Sequence, residues 1–275
     1  RPLGGPDFTI SRFDDPRESL AEWMTSPENP FFARTMVNRM WGHFFGRGII
    51  HPIDDARSSN PPTNPALIEA LASDFSAHGY DVKRLIRQIT NSYAYQLSSV
   101  PNQTNAEDTQ CFARYYPKRL SAEVLLDGIS QVLDVPTIFP GGPGQFPEGM
   151  RAVNLPDENV QFNFLDVFGR PSRTSACECE RTDAPALSQA LELVNSKEIQ
   201  RKLTDKNGYV EKLGANAKPH PENIRAIFLR TLARPPRADE ETTAVEYLNS
   251  ETSRQEGYRS LLWALLATNE FMMNH

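Results

Sequence analysis

One helical period, entered and left by the same signals, runs through most of this chain and limits what it can fold into. In "SPENPFFARTMVNRMWGHFFGRG" apolar residues fall at Phe32, Met36, Val37, Met40, Trp41, Phe44 and Phe45, the spacing of a single helix face. Asn29 before Pro30 supplies an N-cap and first-turn pair and Gly46 a stop, which predicts a buried amphipathic helix over 30–46. "NPPTNPALIEALASDFSAHGYDVKRLIRQITNSYAYQLSS" repeats that grammar. Asn64 caps a helix over 65–77, Gly79 ends it, and Asp81 caps the next over 82–97, with Val82, Leu85, Ile86, Ile89 and Tyr93 as its stripe. Further helices are predicted over 121–134, 186–203, 221–233, 238–249 and 257–269.

The exception is the stretch from 135 to 185, dominated by Pro, Gly and aromatic residues. About fifty residues without periodicity far exceed the usual connection, so this stretch is functional, tightly packed, or built on short strands. The fold class expected is mainly α: a multi-helix domain with a long irregular central loop region and a few short strands at most. It reads as one domain over 1–275, with a helical N-terminal part about 17–134, a loop-rich insert about 135–185 and a helical C-terminal part about 186–275.

With 275 residues, 39% of them hydrophobic, the chain can bury a sizeable core. A net charge of -6, and the lack of any Lys/Arg run interleaved with aromatics, remove the basic field that nucleic acid requires. No apolar run approaches the roughly 20 residues of a membrane-spanning helix; "SLLWALLATNEFMM" is too short and amphipathic. The opening "RPLGGPDFTI" has neither an initiator Met nor a signal pattern, as expected of a segment cut from a longer or processed protein.

Chemistry-bearing motifs are sparse. There is no GxSxG elbow, HExxH, P-loop or EF-hand, and "GGPGQFPEG" lacks the Lys and following helix of a phosphate cradle. On the first strongly periodic helix Arg34 and Asn38 share a face, as do Arg39 and His43, and His51, Asp54, Asp55 and Arg57 follow. His43, His51, Asp54, Asp55 and Arg57 are therefore the candidate catalytic residues, since a carboxylate can fix the tautomer of a histidine that titrates near neutrality. The simpler reading is structural: polar side chains of a buried helix satisfy the loop "HPIDDARSSNPP", and Asp54 or Asp55 paired with Arg57 pins it. As a calcium site Asp54 and Asp55 are incomplete, and so are Asp157, Glu158 and Asn159. No metal site is assigned.

Cys111, Cys177 and Cys179 match neither a dense disulfide framework nor a paired CxxC zinc set. In "RTSACECERTDAP" a disulfide, packed thiols and a metal clip completed by a histidine all stand as readings, and a direct Cys177–Cys179 bridge would be strained. The three cysteines are taken as structural because the central stretch, poor in periodic apolar residues, needs an anchor to offset its ordering entropy. Arg170, Arg173 and Arg181 with Glu178 and Glu180 read as an ion-pair network, with anion binding as the sharper alternative.

From "NPFFARTMVNRMWGHFFGRG" to "NSYAYQLSS", in its closing "LLWALLATNEFMMNH" and in its entry "RPLGGP", the chain closely resembles domain of unknown function 1553, the planctomycete surface domain PSD-one. The resemblance covers nearly the whole chain, and motifs this long are highly specific; the family varies more between about 135 and 185. It implies an origin in Planctomycetes, Verrucomicrobia or similar bacteria. It also implies a place at the C-terminal end of large exported, extracytoplasmic proteins, after domain of unknown function 1549 and often a cytochrome-c-like haem domain. Export makes pairing of Cys111 with one of the other two cysteines attractive. No activity is established for the family, so no catalytic residue is carried over. The function expected is an interaction or scaffold domain with no cofactor of its own, any haem lying on a separate domain. Its partners are then other domains of the same polypeptide or cell-surface proteins. The alternative is an extracytoplasmic hydrolase or lyase acting on polysaccharide.

Overall fold

The computed structural model describes residues 15–140, 146–147, 149–156, 160–171 and 187–274. Its internal contacts divide the chain into two compact units, one up to Lys118 and the other Arg119–Asn274. Both are built from helices. Lys118–Arg119 and Met273–Asn274 are the only strands among the described residues.

In the first unit α1 (Pro16–Thr25) starts on Asp15, whose carboxylate accepts the Arg17 N–H, and buries no residue. The Tyr80 hydroxyl ties its end down by donating to the Thr25 carbonyl at 2.9 Å. Helix α2 (Phe32–Phe45) begins two residues later than predicted, because the Asn29 Oδ1 accepts the N–H groups of Phe31 and Phe32 at 2.8 and 3.1 Å. It ends at Gly46 with φ 73°, a left-handed conformation that favours glycine. Helix α3 (Pro65–Ala77) has the predicted bounds, with Asn64 Oδ1 accepting the Leu67 N–H at 3.0 Å.

Helix α4 (Val82–Thr90) starts on Asp81 as predicted but stops well short of 97. The Ser92 hydroxyl takes the Ile89 carbonyl at 2.7 Å, and the chain turns so that the Tyr95 ring meets Phe44, Phe45 and Tyr115 at centroid distances of 5.9, 5.8 and 5.5 Å. Aromatic packing has overridden helical propensity there, and Tyr93, counted in the stripe, is 82% exposed. The core of this unit joins Val37, Trp41 and Phe45 of α2 to Ile68 and Phe75 of α3, Leu85 and Ile89 of α4, and Phe112 and Tyr115.

The second unit is organised around α5 (Ala122–Leu133), which buries Leu125, Leu126, Ile129, Val132 and Leu133. Next come α6 (Asn163–Val167), α7 (Leu187–Asn195) and α8 (Lys197–Leu203). The single helix predicted over 186–203 is two, because Ser196 leaves the helix and caps α8 through its hydroxyl. Then follow α9 (Tyr209–Ala215), α10 (His220–Leu232), α11 (Ala238–Ser250), α12 (Arg254–Leu266) and α13 (Asn269–Met272).

The described part of the loop-rich stretch, poor in periodic apolar residues, nevertheless sends a set of them into the core. Phe139, Ala152, Leu155, Val160, Phe164, Leu165 and Phe168 all join the α5 core, with the Phe164 and Phe168 rings stacked at 4.5 Å. Its apolar residues follow no period, but they are spaced to reach the core. Burial of one such side chain contributes about 2 kcal/mol.

Candidate functional site

The residues singled out after α2 form a pinned turn. Asn38 sits on the buried face of α2, only 2% exposed, and its amide serves the loop backbone. Oδ1 accepts the Ile50 N–H at 2.8 Å, and Nδ2 donates to the carbonyls of Ile50 and Ile53, both at 2.9 Å. Arg39, one residue on, pairs with Asp54 at 2.7 Å and ties loop to helix. Asp55 and Arg57 make a two-bonded fork within the loop at 2.6 and 2.7 Å, so Arg57 holds the Asp55 carboxyl below the usual carboxylate range.

His43 is exposed on the last turn of α2, its ring edge-on to Phe44 at 5.2 Å, while its carbonyl accepts from the Lys118 ammonium. Burial and the Arg47 guanidinium both push His51 below its ordinary value. An arginine neighbour disfavours the imidazolium, the reverse of the carboxylate support a catalytic histidine uses. Elsewhere in this unit, Asp81, Arg84, Arg87, Gln88 and Asn91 line a surface depression on α4. Arg84 is committed there to a two-bonded pair with Asp74 at 3.0 Å.

In the second unit the chain leaving α5 is gripped by cations. Arg230 of α10 donates to the carbonyls of Gln131 and Val132 at 2.6 and 2.7 Å, neutralising the negative end of the helix. Lys212 of α9 pairs with Asp134. From α8, Arg201 donates to the Pro136 carbonyl at 2.9 Å, and the Lys202 ammonium donates to the Val135 carbonyl and the Thr137 hydroxyl at 2.8 and 3.0 Å. Lys202 is fully buried, with Glu198 at 3.1 Å as its third acceptor. Burial pushes the ammonium down to about 8 against the opposing pull of Glu198 and Asp127.

Asp127 is itself 8% exposed, and its carboxylate accepts the N–H groups of Ala152 and Val153 at 2.7 and 3.3 Å. Entry and middle of the loop-rich stretch are thus anchored by α8 and α5, mainly through backbone groups, while α9 and α10 hold the end of α5 just before it. None of these anchors was singled out in the sequence. The local signals are the i, i+4 pair of Glu198 and Lys202 and the i, i+3 pair of Glu198 and Arg201.

Arg170 bonds the Asp166 carboxylate at 2.7 Å with its side chain almost entirely buried. Arg173, Arg181, Cys177 and Cys179 lie outside the described residues, as do Asp157, Glu158 and Asn159. Cys111 is exposed with a free thiol. Its loop is held by Asp108, another residue the sequence did not flag. Asp108 accepts the N–H groups of Gln110, Cys111 and Ala113 at 3.0, 2.8 and 2.8 Å and the Tyr116 hydroxyl at 2.8 Å. Burial raises this carboxyl, but the three backbone donors and Tyr116 outweigh it and hold Asp108 far below the usual range. Among the described residues no group of three or more His, Cys, Asp or Glu side chains could hold a metal ion, and no helix is long and apolar enough to cross a membrane.

The family model described as protein of unknown function (DUF1553) matches residues 16–248 of the 275. No curated protein and no solved structure matches the chain.

Proposed function

The chain belongs to the DUF1553 family of proteins of unknown function, and on that premise we propose that it is an interaction domain of a large exported protein. It docks against another domain of the same polypeptide, and any haem is carried by a separate, cytochrome-c-like domain. The observation that carries this reading is the outer face of α7. Leu187, Leu191 and Val194 stand at i, i+4 and i+7 and are 77, 52 and 46% exposed. An apolar stripe at helical spacing on a soluble face fits a helix that lies in a partner's groove. The polar residues that an enzyme would use point the same way, because Asp54, Asp55, Asp108 and Asp127 are each taken up by an arginine or by backbone N–H groups.

Hydrogen exchange compares this chain alone with the complete polypeptide. The amides of α7 are expected to exchange at least about tenfold more slowly in the complete polypeptide, and Leu191→Glu is expected to abolish that protection. Equal exchange in both contexts, or cleavage of polysaccharide by the chain alone, overturns the reading.

A further inference from the structure

Where α10 begins against α12, a chain of hydrogen bonds can be assigned from one end. The backbone N–H of Lys218, which can only donate, bonds Asn216 Oδ1 at 3.1 Å and so fixes which way the Asn216 amide faces. Asn216 Nδ2 then donates to Asn223 Oδ1 at 3.1 Å, and Asn223 Nδ2 returns a bond to Asn216 Oδ1 at 2.9 Å. The second Nδ2 proton of Asn223 goes to the Tyr258 hydroxyl at 2.9 Å. With that oxygen accepting from Asn223, its own proton is directed at His220 Nδ1, 2.9 Å away. The imidazole therefore accepts at Nδ1 and carries its proton on Nε2. Tyr258 is fully buried and Asn223 is 2% exposed, whereas His220, the first residue of α10, is half-buried and within reach of solvent protons.

We propose that His220, Tyr258 and Asn223 form a proton-operated joint between the start of α10 and α12, closed at neutral pH and loosened in acid. A proton taken from solvent onto Nδ1 turns that acceptor into a donor. The Tyr258 oxygen then faces donors from both His220 and Asn223, and its own O–H proton has no acceptor in a place sealed from water, a costly arrangement for a buried polar group. The charges around the ring act in the same direction. From α12 the Arg254 guanidinium lies 5.4 Å from the Tyr258 ring centroid and donates to the carbonyl of Lys218, itself cationic; Glu222, two residues on in α10, is the one nearby anion on that helix turn and opposes these cations without outweighing them.

Burial first, then Arg254, hold His220 below its ordinary 6.5. For a base whose folded value is depressed, the cost sets in as pH falls below the unfolded value and is complete below the folded one. Acid therefore opens the joint. Because α12 packs on both α9 and α10, release frees one end of the second unit, independently of whatever α7 contacts.

The test uses the whole chain, wild type beside Tyr258→Phe and His220→Gln. The His220 ring is followed by NMR titration, and the amides of α12 by hydrogen exchange at about pH 7.5 and 5, corrected for intrinsic rates. Wild-type α12 is expected to exchange about tenfold faster in acid. Tyr258→Phe, with no hydroxyl to strand, is expected to move His220 up toward the ordinary histidine value. His220→Gln, which offers a carbonyl acceptor at every pH, is expected to abolish the acid effect. The same His220 titration in Tyr258→Phe as in wild type, or pH-independent exchange of wild-type α12, overturns the proposal.

Discussion

Asn38 holds both backbone groups of Ile50, accepting its N–H at 2.8 Å and donating to its carbonyl at 2.9 Å. A side chain on α2 thereby stands in for the strand neighbour that this segment lacks, and the loop leaves the helix at a fixed angle. Asn38→Leu, similar in volume, strands these two groups and the Ile53 carbonyl in a buried site. Urea unfolding is expected to show a loss of about 3 kcal/mol; a loss under about 1 kcal/mol would mean that the backbone finds other partners.

Gly48 makes that bond pair possible. A Cβ there would lie 2.3 Å from the Ile50 carbonyl oxygen and 2.9 Å from both amide atoms of Asn38. Gly48→Ala is therefore expected to cost about 2 kcal/mol, in the range of overpacked sites. Since both changes break the same contact, Asn38→Leu with Gly48→Ala should cost clearly less than the sum, as a double-mutant cycle would read.

Local rules were legible where three or four residues decide the outcome. The caps at Asn64 and Asp81 and the stop at Gly46 were of that kind, and the helix ends they mark lie where the sequence placed them. The sequence misled where a distant partner decides. Tyr95 leaves the helical path to meet aromatic rings, and Lys202, in "KEIQRKL", reads as an ordinary basic helix end. Its buried acceptor on Val135 lies 67 residues away, and the local pairing with Glu198 looks the same on a solvated helix face. Asp108 is similar. In "NAEDTQC" it looks like a solvated turn residue, yet it organises four donors.

Cys111 and Asp108 invite opposite outcomes. The exposed thiol is expected to react completely with an alkylating reagent in the native chain, and Cys111→Ser to change stability by less than about 0.5 kcal/mol. Asp108→Asn replaces one acceptor oxygen by an amide that must face either the Ala113 N–H or the Gln110 and Cys111 pair, for an expected cost of about 2 kcal/mol. Slow native labelling of Cys111 would instead point to a bridge or a covering partner.

Arg234 closes the far side of the second unit with two forks. It bonds Glu240 at 2.7 and 2.8 Å and Glu270 at 2.5 and 2.8 Å, joining the end of α10 to α11 and α13. A lysine cannot make both forks, so Arg234→Lys is expected to lose about 1–2 kcal/mol at neutral pH. Arg234 holds Glu240 down to about 2. A depressed carboxylate contributes stability above its unfolded value and loses it as pH falls through the folded one. The difference between wild type and Arg234→Lys should therefore shrink between about pH 5 and 2; a difference constant over that range would assign the effect to packing alone.

Lys202 reverses that sign. Its ammonium is pushed to about 8 by burial, below the 10.5 of an exposed lysine, so the folded state resists holding the proton. The resulting penalty is fully present below about 8 and fades as pH rises toward the unfolded value. Stability from this group should thus increase between about pH 8 and 10, opposite to an ordinary ion pair. Lys202→Met removes the rise and leaves the Val135 carbonyl unmet, while Glu198 keeps Arg201 at 2.8 Å. At pH 7 the substitution is expected to cost about 1–2 kcal/mol, because the lost hydrogen bonds are partly offset by the charge no longer buried. Urea unfolding of both proteins at several pH values across this window reads the difference directly. A wild-type advantage that stays flat, or falls, with rising pH would show that the buried amine keeps an ordinary lysine's proton affinity and that Glu198 and Asp127 compensate its burial completely.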